Sequence, residues 1–144
     1  MECGELHSPV DWLMSEKNLF SIIESPLHPD FSGLYGRLGL CEVRLGSMRK
    51  AISALKSRTP DIVVAEFIYG YGNNYAGVNV SNLDVFLYSL QKYSSDSAII
   101  VMADKREVQY VDKLSALFPI HAVLQHPVTE PDMEACLRDR IMID

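Results

Sequence analysis

Hydrophobic and polar positions change their period repeatedly along this chain, and each change marks the passage from a strand to a helix. Leu19-Phe20-Ser21-Ile22-Ile23 is a short apolar run stopped by Pro26, which reads as a first strand. Residues 27–38 carry a weaker helical pattern, interrupted by Pro29 and Gly33. Cys41-Glu42-Val43-Arg44-Leu45 alternates like a half-exposed second strand. Met48, Ala51, Ile52 and Leu55 then fall at i, i+3, i+4 and i+7, the apolar stripe of a helix capped by Ser47. Asp61-Ile62-Val63-Val64-Ala65-Glu66-Phe67 is nearly all apolar, as a parallel strand covered on both faces should be.

The second half repeats the alternation. Ser81-x-x-Asp84 resembles a capping box, and Leu83, Phe86, Leu87 and Leu90 form the following stripe. Ala98-Ile99-Ile100-Val101-Met102 is another buried strand, and Asp104-x-x-Glu107 opens a helix carrying Val108, Val111 and Leu114. Ile120-His121-Ala122-Val123-Leu124-Gln125 is a fifth strand. Thr129-x-x-Asp132, with Pro131 in the first turn, opens a last helix with Met133, Cys136, Leu137 and Ile141 inward. Strands alternating with helices in this way predict a doubly wound, mostly parallel α/β sheet. No repeat or linker divides residues 17–144, so they read as one domain behind an extension, residues 1–16, whose apolar cluster holds Trp12, Leu13 and Met14.

Composition narrows the function. The chain has 144 residues, 48% of them hydrophobic, enough to fold on a core without disulfides or metal. Thirteen Lys and Arg against 19 Asp and Glu give a formal charge of −6. That balance argues against a phosphate-backbone binder and against docking on an anionic membrane. No apolar run approaches the length of a bilayer span, and the first residues lack a signal peptide's basic and apolar regions, so a cytoplasmic protein is expected. Cys3, Cys41 and Cys136 lie far apart without metal-ligand spacing, and no metal or cofactor is expected. His7, His28 and His121 carry no motif.

Open parallel sheets place their sites at the carboxyl ends of the strands. At those positions Pro60-Asp61-Ile62-Val63-Val64-Ala65-Glu66, Ile99-Ile100-Val101-Met102-Ala103 and His126-Pro127 together resemble response-regulator receiver domains of two-component signalling. Element order and spacing match over roughly residues 17–141. The resemblance implies a flavodoxin-like, five-stranded parallel sheet of order 2-1-3-4-5 with helices on both faces. It also implies a phosphate-accepting aspartate at position 66, a hydroxyl at 103, a lysine at 126, and two carboxylates after the first strand that help the acceptor hold Mg²⁺.

This chain departs from that pattern at each part. Ile23-Glu24-Ser25 leaves only Glu24 of the carboxylate pair, and Glu66 replaces the acceptor with a longer side chain. Ala103 offers no hydroxyl, His126 substitutes a titratable donor for the ammonium, and Val123 stands where many receivers carry a switch aromatic. The expectation is therefore a phosphorylation-independent, non-enzymatic pseudo-receiver acting through protein–protein contacts. Glu66 and His126 are expected to meet at the sheet edge, with Glu24 near, as a structural pair filling the emptied site. By resemblance, a homodimer would form through residues 104–141 and the protein would serve signalling or transcriptional control, either alone as an adaptor or as the receiver part of a longer protein.

Residues 68–80 are the least ordinary stretch: a Gly- and Asn-rich connection longer than its receiver counterpart. Tyr69, Tyr71, Asn73, Asn74 and Tyr75 in it are candidates for binding a partner. Two alternatives stay open. One is a still-switching receiver that binds Mg²⁺ weakly through Glu24 and Glu66; the other is a small-ligand sensor or enzyme using the 68–80 loop. Flavin binding after the first strand is disfavoured because Ser25-Pro26-Leu27-His28-Pro29 lacks free backbone N–H groups, and without basic residues between Glu66 and Lys92 the tyrosines do not suggest nucleic acid.

Overall fold

A computed structural model describes residues 17–24, 30–69 and 81–141. The elements are β1 (Asn18–Ile22), α1 (Ser32–Arg37), β2 (Cys41–Leu45), α2 (Met48–Ala54), β3 (Ile62–Glu66), α3 (Asp84–Tyr93), β4 (Ala98–Ala103), α4 (Val111–Ser115), β5 (Ala122–Gln125) and α5 (Glu130–Ile141). The five strands form one parallel sheet of order β2-β1-β3-β4-β5. This is the flavodoxin-like arrangement expected from the sequence.

The apolar run of each central strand splits between two layers because successive side chains point to opposite faces. Phe20, Ile22, Val63, Ala65, Ile99 and Val101 pack with Ala51 and Leu55 at α2, Phe86, Leu87 and Leu90 of α3, and Val111 and Leu114 of α4. Leu19, Ile62, Val64, Ile100 and Met102 meet Leu34 and Tyr35 of α1 and Met133 and Leu137 of α5. β3 and β4 are buried at every position, whereas the edge strand β5 alternates between half-buried and exposed. Cys41 is buried and Cys136 half-buried. Among the described residues no helix is long and apolar enough to cross a membrane.

Caps account for several boundaries. Ser47 Oγ accepts from the Lys50 N–H, and Thr129 Oγ1 accepts from the Asp132 N–H. Before α3 the Ser81 N–H donates to Asp84 Oδ1 at 2.7 Å, while Ser81 Oγ accepts from the Leu83 N–H at 3.1 Å. Only half of the expected box forms: Asp84 reaches back to Ser81, but the Ser81 hydroxyl takes the Leu83 N–H, and α3 begins at Asp84 behind Leu83 with no side-chain cap.

Two helices are shorter than expected. α1 begins at Ser32, where Asp30 Oδ1 accepts from the Ser32 N–H; residues 27–29 of the expected helix lie outside the described residues. The helix expected from Asp104 onward starts only at Val111, after a turn over residues 104–107 and a 3-10 turn over Val108–Tyr110. Asp104 Oδ1 takes the Arg106 N–H and Asp104 O takes the Glu107 N–H, which closes a tight turn before any helix starts. Glu107 does not cap a helix, because its carboxylate bonds elsewhere. The extension 1–16 and the side chain of Ile141, expected to point inward, lie outside the described residues.

Candidate functional site

The sheet order lines up the carboxyl ends of β1, β3, β4 and β5, which carry Glu24, Glu66, Ala103 and His126. Hydrogen bonds extend the ladder past the strand ends: the Phe67 N–H donates to Met102 O at 2.8 Å and the His126 N–H to Ala103 O at 2.9 Å. Ala103 is thereby wedged between its neighbours with no exposed surface, and its methyl group stands where the resemblance placed a hydroxyl. Glu66 is buried and Glu24 half-buried. Val123, at the aromatic's position, is exposed.

The expected Glu66–His126 pair does not form. Among the described residues neither a hydrogen bond nor an ion pair joins them. Topology gives the reason: β4 separates β3 from β5, so their backbones stand about 9.5 Å apart and the side chains would have to reach over Ala103. The carboxyl that follows β4 directly is that of Asp104. The Arg106 N–H, with the Arg106 guanidinium and then His126 adding to it, holds that exposed carboxyl below its usual range. The His126-Pro127 peptide bond is cis.

What organises the edge is Asn82, a residue the sequence did not single out. Its side-chain Nδ2 donates to Glu66 O at 2.9 Å and to Glu24 Oε1 at 3.4 Å. Its Oδ1 accepts from the Ile68 N–H at 2.7 Å, and its own backbone N–H donates to Ile68 O at 3.1 Å. One buried residue at the entrance to α3 thus binds the backbone leaving β3 and the carboxylate following β1. The only trace in the sequence is an asparagine inside the Ser81-x-x-Asp84 cap, a setting in which side-chain amides commonly satisfy backbone groups.

A second set of contacts holds Tyr69. Its N–H donates to Glu107 Oε1 at 3.2 Å, and it pairs with Ser81 in an isolated antiparallel bridge. Its ring stacks on Tyr110, with centroids 4.0 Å apart and planes 13° off parallel. Lys113 Nζ lies 3.3 Å from the Tyr69 hydroxyl, 5.4 Å from the Tyr69 centroid and 5.8 Å from that of Tyr110. The connection after β3 is therefore braced against the connection after β4. Of the loop candidates, Tyr69 belongs to this brace; Tyr71, Asn73, Asn74 and Tyr75 lie outside the described residues.

The Mg²⁺ ion implied by the resemblance does not fit this donor set. The Glu24 carboxylate faces the Asn82 NH₂ group, which carries hydrogens and cannot ligate a cation. Among the described residues, no three His, Cys, Asp or Glu side chains are grouped so as to hold a metal ion.

This architecture is the response-regulator receiver fold, and solved structures of that class superpose on most of the chain. A response regulator receiver protein from Sinorhizobium medicae WSM419 aligns with a TM-score of 0.67 at 15% identity, covering 90% of this chain and 98% of its own. The receiver domain of the PhyR response regulator from Erythrobacter litoralis aligns at 0.64 with 18% identity, covering 92% and 95%. The signal receiver domain of a LuxO repressor protein from Vibrio parahaemolyticus gives 0.64 at 12% identity. No protein-family model matches the chain, and no curated protein matches it in sequence.

Proposed function

We propose that this chain is a receiver-like regulatory domain that works without phosphorylation and acts through contacts with other proteins of a signalling pathway. The observation that carries this reading is Ala103. Phosphoryl transfer needs donors placed where charge develops, and here a fully buried methyl group occupies the end of β4. The other changed positions agree with it. Glu66 carries the acceptor's carboxylate on a longer side chain, Glu24 faces an amide, and no hydrogen bond or ion pair joins His126 to Glu66 among the described residues. Signalling then depends on a surface of fixed shape, with no chemistry of the chain's own and no nucleic acid or membrane as its target.

Pairing of two copies through residues 104–141 belongs to the same reading. Leu117 and Val123 in that stretch are 49% and 41% exposed, apolar surface that a second copy would cover.

Titration calorimetry with Mg²⁺ and beryllofluoride tests the proposal. A phosphorylation-independent domain gives no binding heat with either alone or with both together. A stoichiometric heat would overturn it and restore a switching receiver.

A further inference from the structure

Three N–H bonds radiate from Asn82 to three oxygens on two different segments. The side-chain amide supplies two of them, to Glu24 Oε1 and Glu66 O, and the backbone N–H supplies the third, to Ile68 O. A carboxylate and two carbonyls converging from separate segments are the kind of oxygen ligands that a hard divalent cation gathers. Here they are gathered by hydrogen-bond donors on one side chain and its backbone. The residue is well suited to this. It is 7% exposed, both hydrogens of its NH₂ are engaged, and its Oδ1 is fixed by the Ile68 N–H, so the orientation of the amide is determined. No second charge has to be desolvated to hold the Glu24 carboxylate against the end of β3, whereas burying a cation there would add that cost.

We infer that the Asn82 amide takes the place of a divalent cation at this sheet edge, and that Asn82 is the positioning residue that makes the strand-end arrangement independent of metal. This rests on the phosphorylation-independent reading above and adds to it the single position on which metal independence turns. Asn82→Asp would reverse the local chemistry. The two side-chain donors vanish, and a second carboxylate faces Glu24 and the Glu66 carbonyl. Three oxygen ligands would then stand together with nothing between them, and a divalent cation would fill the gap.

The experiment is thermal unfolding of the whole chain with and without millimolar Mg²⁺, with NaCl at matched ionic strength as the screening control. The wild type is expected to keep the same Tm in all three solutions. Asn82→Asp is expected to lose about 8 °C or more without divalent cation and to regain at least half of that loss with Mg²⁺ but not with NaCl. Asn82→Ala removes the donors without adding charge, so it should lose stability and gain nothing from Mg²⁺. Adding Glu24→Gln to Asn82→Asp should abolish the rescue.

An Asn82→Asp protein that Mg²⁺ does not rescue, or that fails to fold even with Mg²⁺, overturns the inference. An Asn82→Ala protein as stable as the wild type does so too. These outcomes leave the proposed function standing, since that fails on a different result: a binding heat for Mg²⁺ with beryllofluoride in the wild type.

Discussion

The brace around Tyr69 offers a quantitative test of how rigidly the two connections are joined. Tyr69→Ala and Tyr110→Ala, singly and together, form a double-mutant cycle across the stacked pair. Rings 4.0 Å apart and 13° from parallel contribute about 0.5–1.5 kcal/mol beyond the area they bury. Lys113, within 5.8 Å of both centroids, adds about 0.5 kcal/mol at a site this open. Tyr69 is 38% exposed, which favours the lower end of these ranges, so the coupling energy should be about 1 kcal/mol. Urea unfolding of the four proteins measures it. Hydrogen exchange supplies a local reading: the Tyr69 amide, bonded to Glu107, should exchange about fivefold faster in Tyr110→Ala. A coupling energy below about 0.3 kcal/mol, with unchanged exchange at Tyr69, would mean that the rings touch without holding the connections together, and the brace would be refuted.

Two further outcomes follow from the same geometry. Because Tyr69 and Ser81 are paired in an antiparallel bridge, residues 70–80 can be replaced by Asn-Gly, a turn that suits such a pair. The shortened chain should fold with a Tm within about 3 °C of the parent or above it, since loop closure costs little and less for shorter loops; an unfolded product would show that the bridge does not set the spacing. The second concerns His121, whose Nδ1 accepts the Ile99 N–H at 3.0 Å and so binds as the neutral ring. Burial, and then the Arg140 charge, push its pKa below the ordinary 6.5. The stabilisation is therefore complete above pH 6.5 and is lost as pH falls from there through the lowered folded pKa. A Tm that declines over that window, flattened in His121→Asn and matched to the NMR titration of His121, is the expected result.

The fold was legible because it is written in runs that only a doubly covered sheet explains. Val63-Val64-Ala65 and Ile99-Ile100-Val101 contribute alternately to two layers, so neither run could tolerate a polar face. The misreading at Asp104 is instructive. Asp104-x-x-Glu107 has the spacing of a capping box, but spacing does not reveal which donors each carboxylate will reach. Asp104 turns to Arg106 and Glu107 reaches across to Tyr69, so the local signal that should start a helix is spent on a turn and a tertiary bond.

The site was legible only as far as topology could carry it. Strand order alone places Glu24, Glu66, Ala103 and His126 along one edge, but it also puts β4 between Glu66 and His126, a separation that motif matching ignores. Asn82 was invisible for a different reason. Its partners include the carbonyls of Glu66 and Ile68 and the N–H of Ile68, backbone groups present at almost every position and hence silent in the sequence. Those contacts bear on how a signal could pass. Glu66 is held by its carbonyl, Phe67 by Met102, Ile68 by both backbone groups, and Tyr69 by its N–H and its ring. A shift of this segment would break bonds at four consecutive residues, and with Asn82 contributing no charge at pH 7, no change of its own ionisation opposes them. A chain so fixed after β3 is suited to present one surface rather than to alternate between two, which is what the proposed phosphorylation-independent reading requires of it.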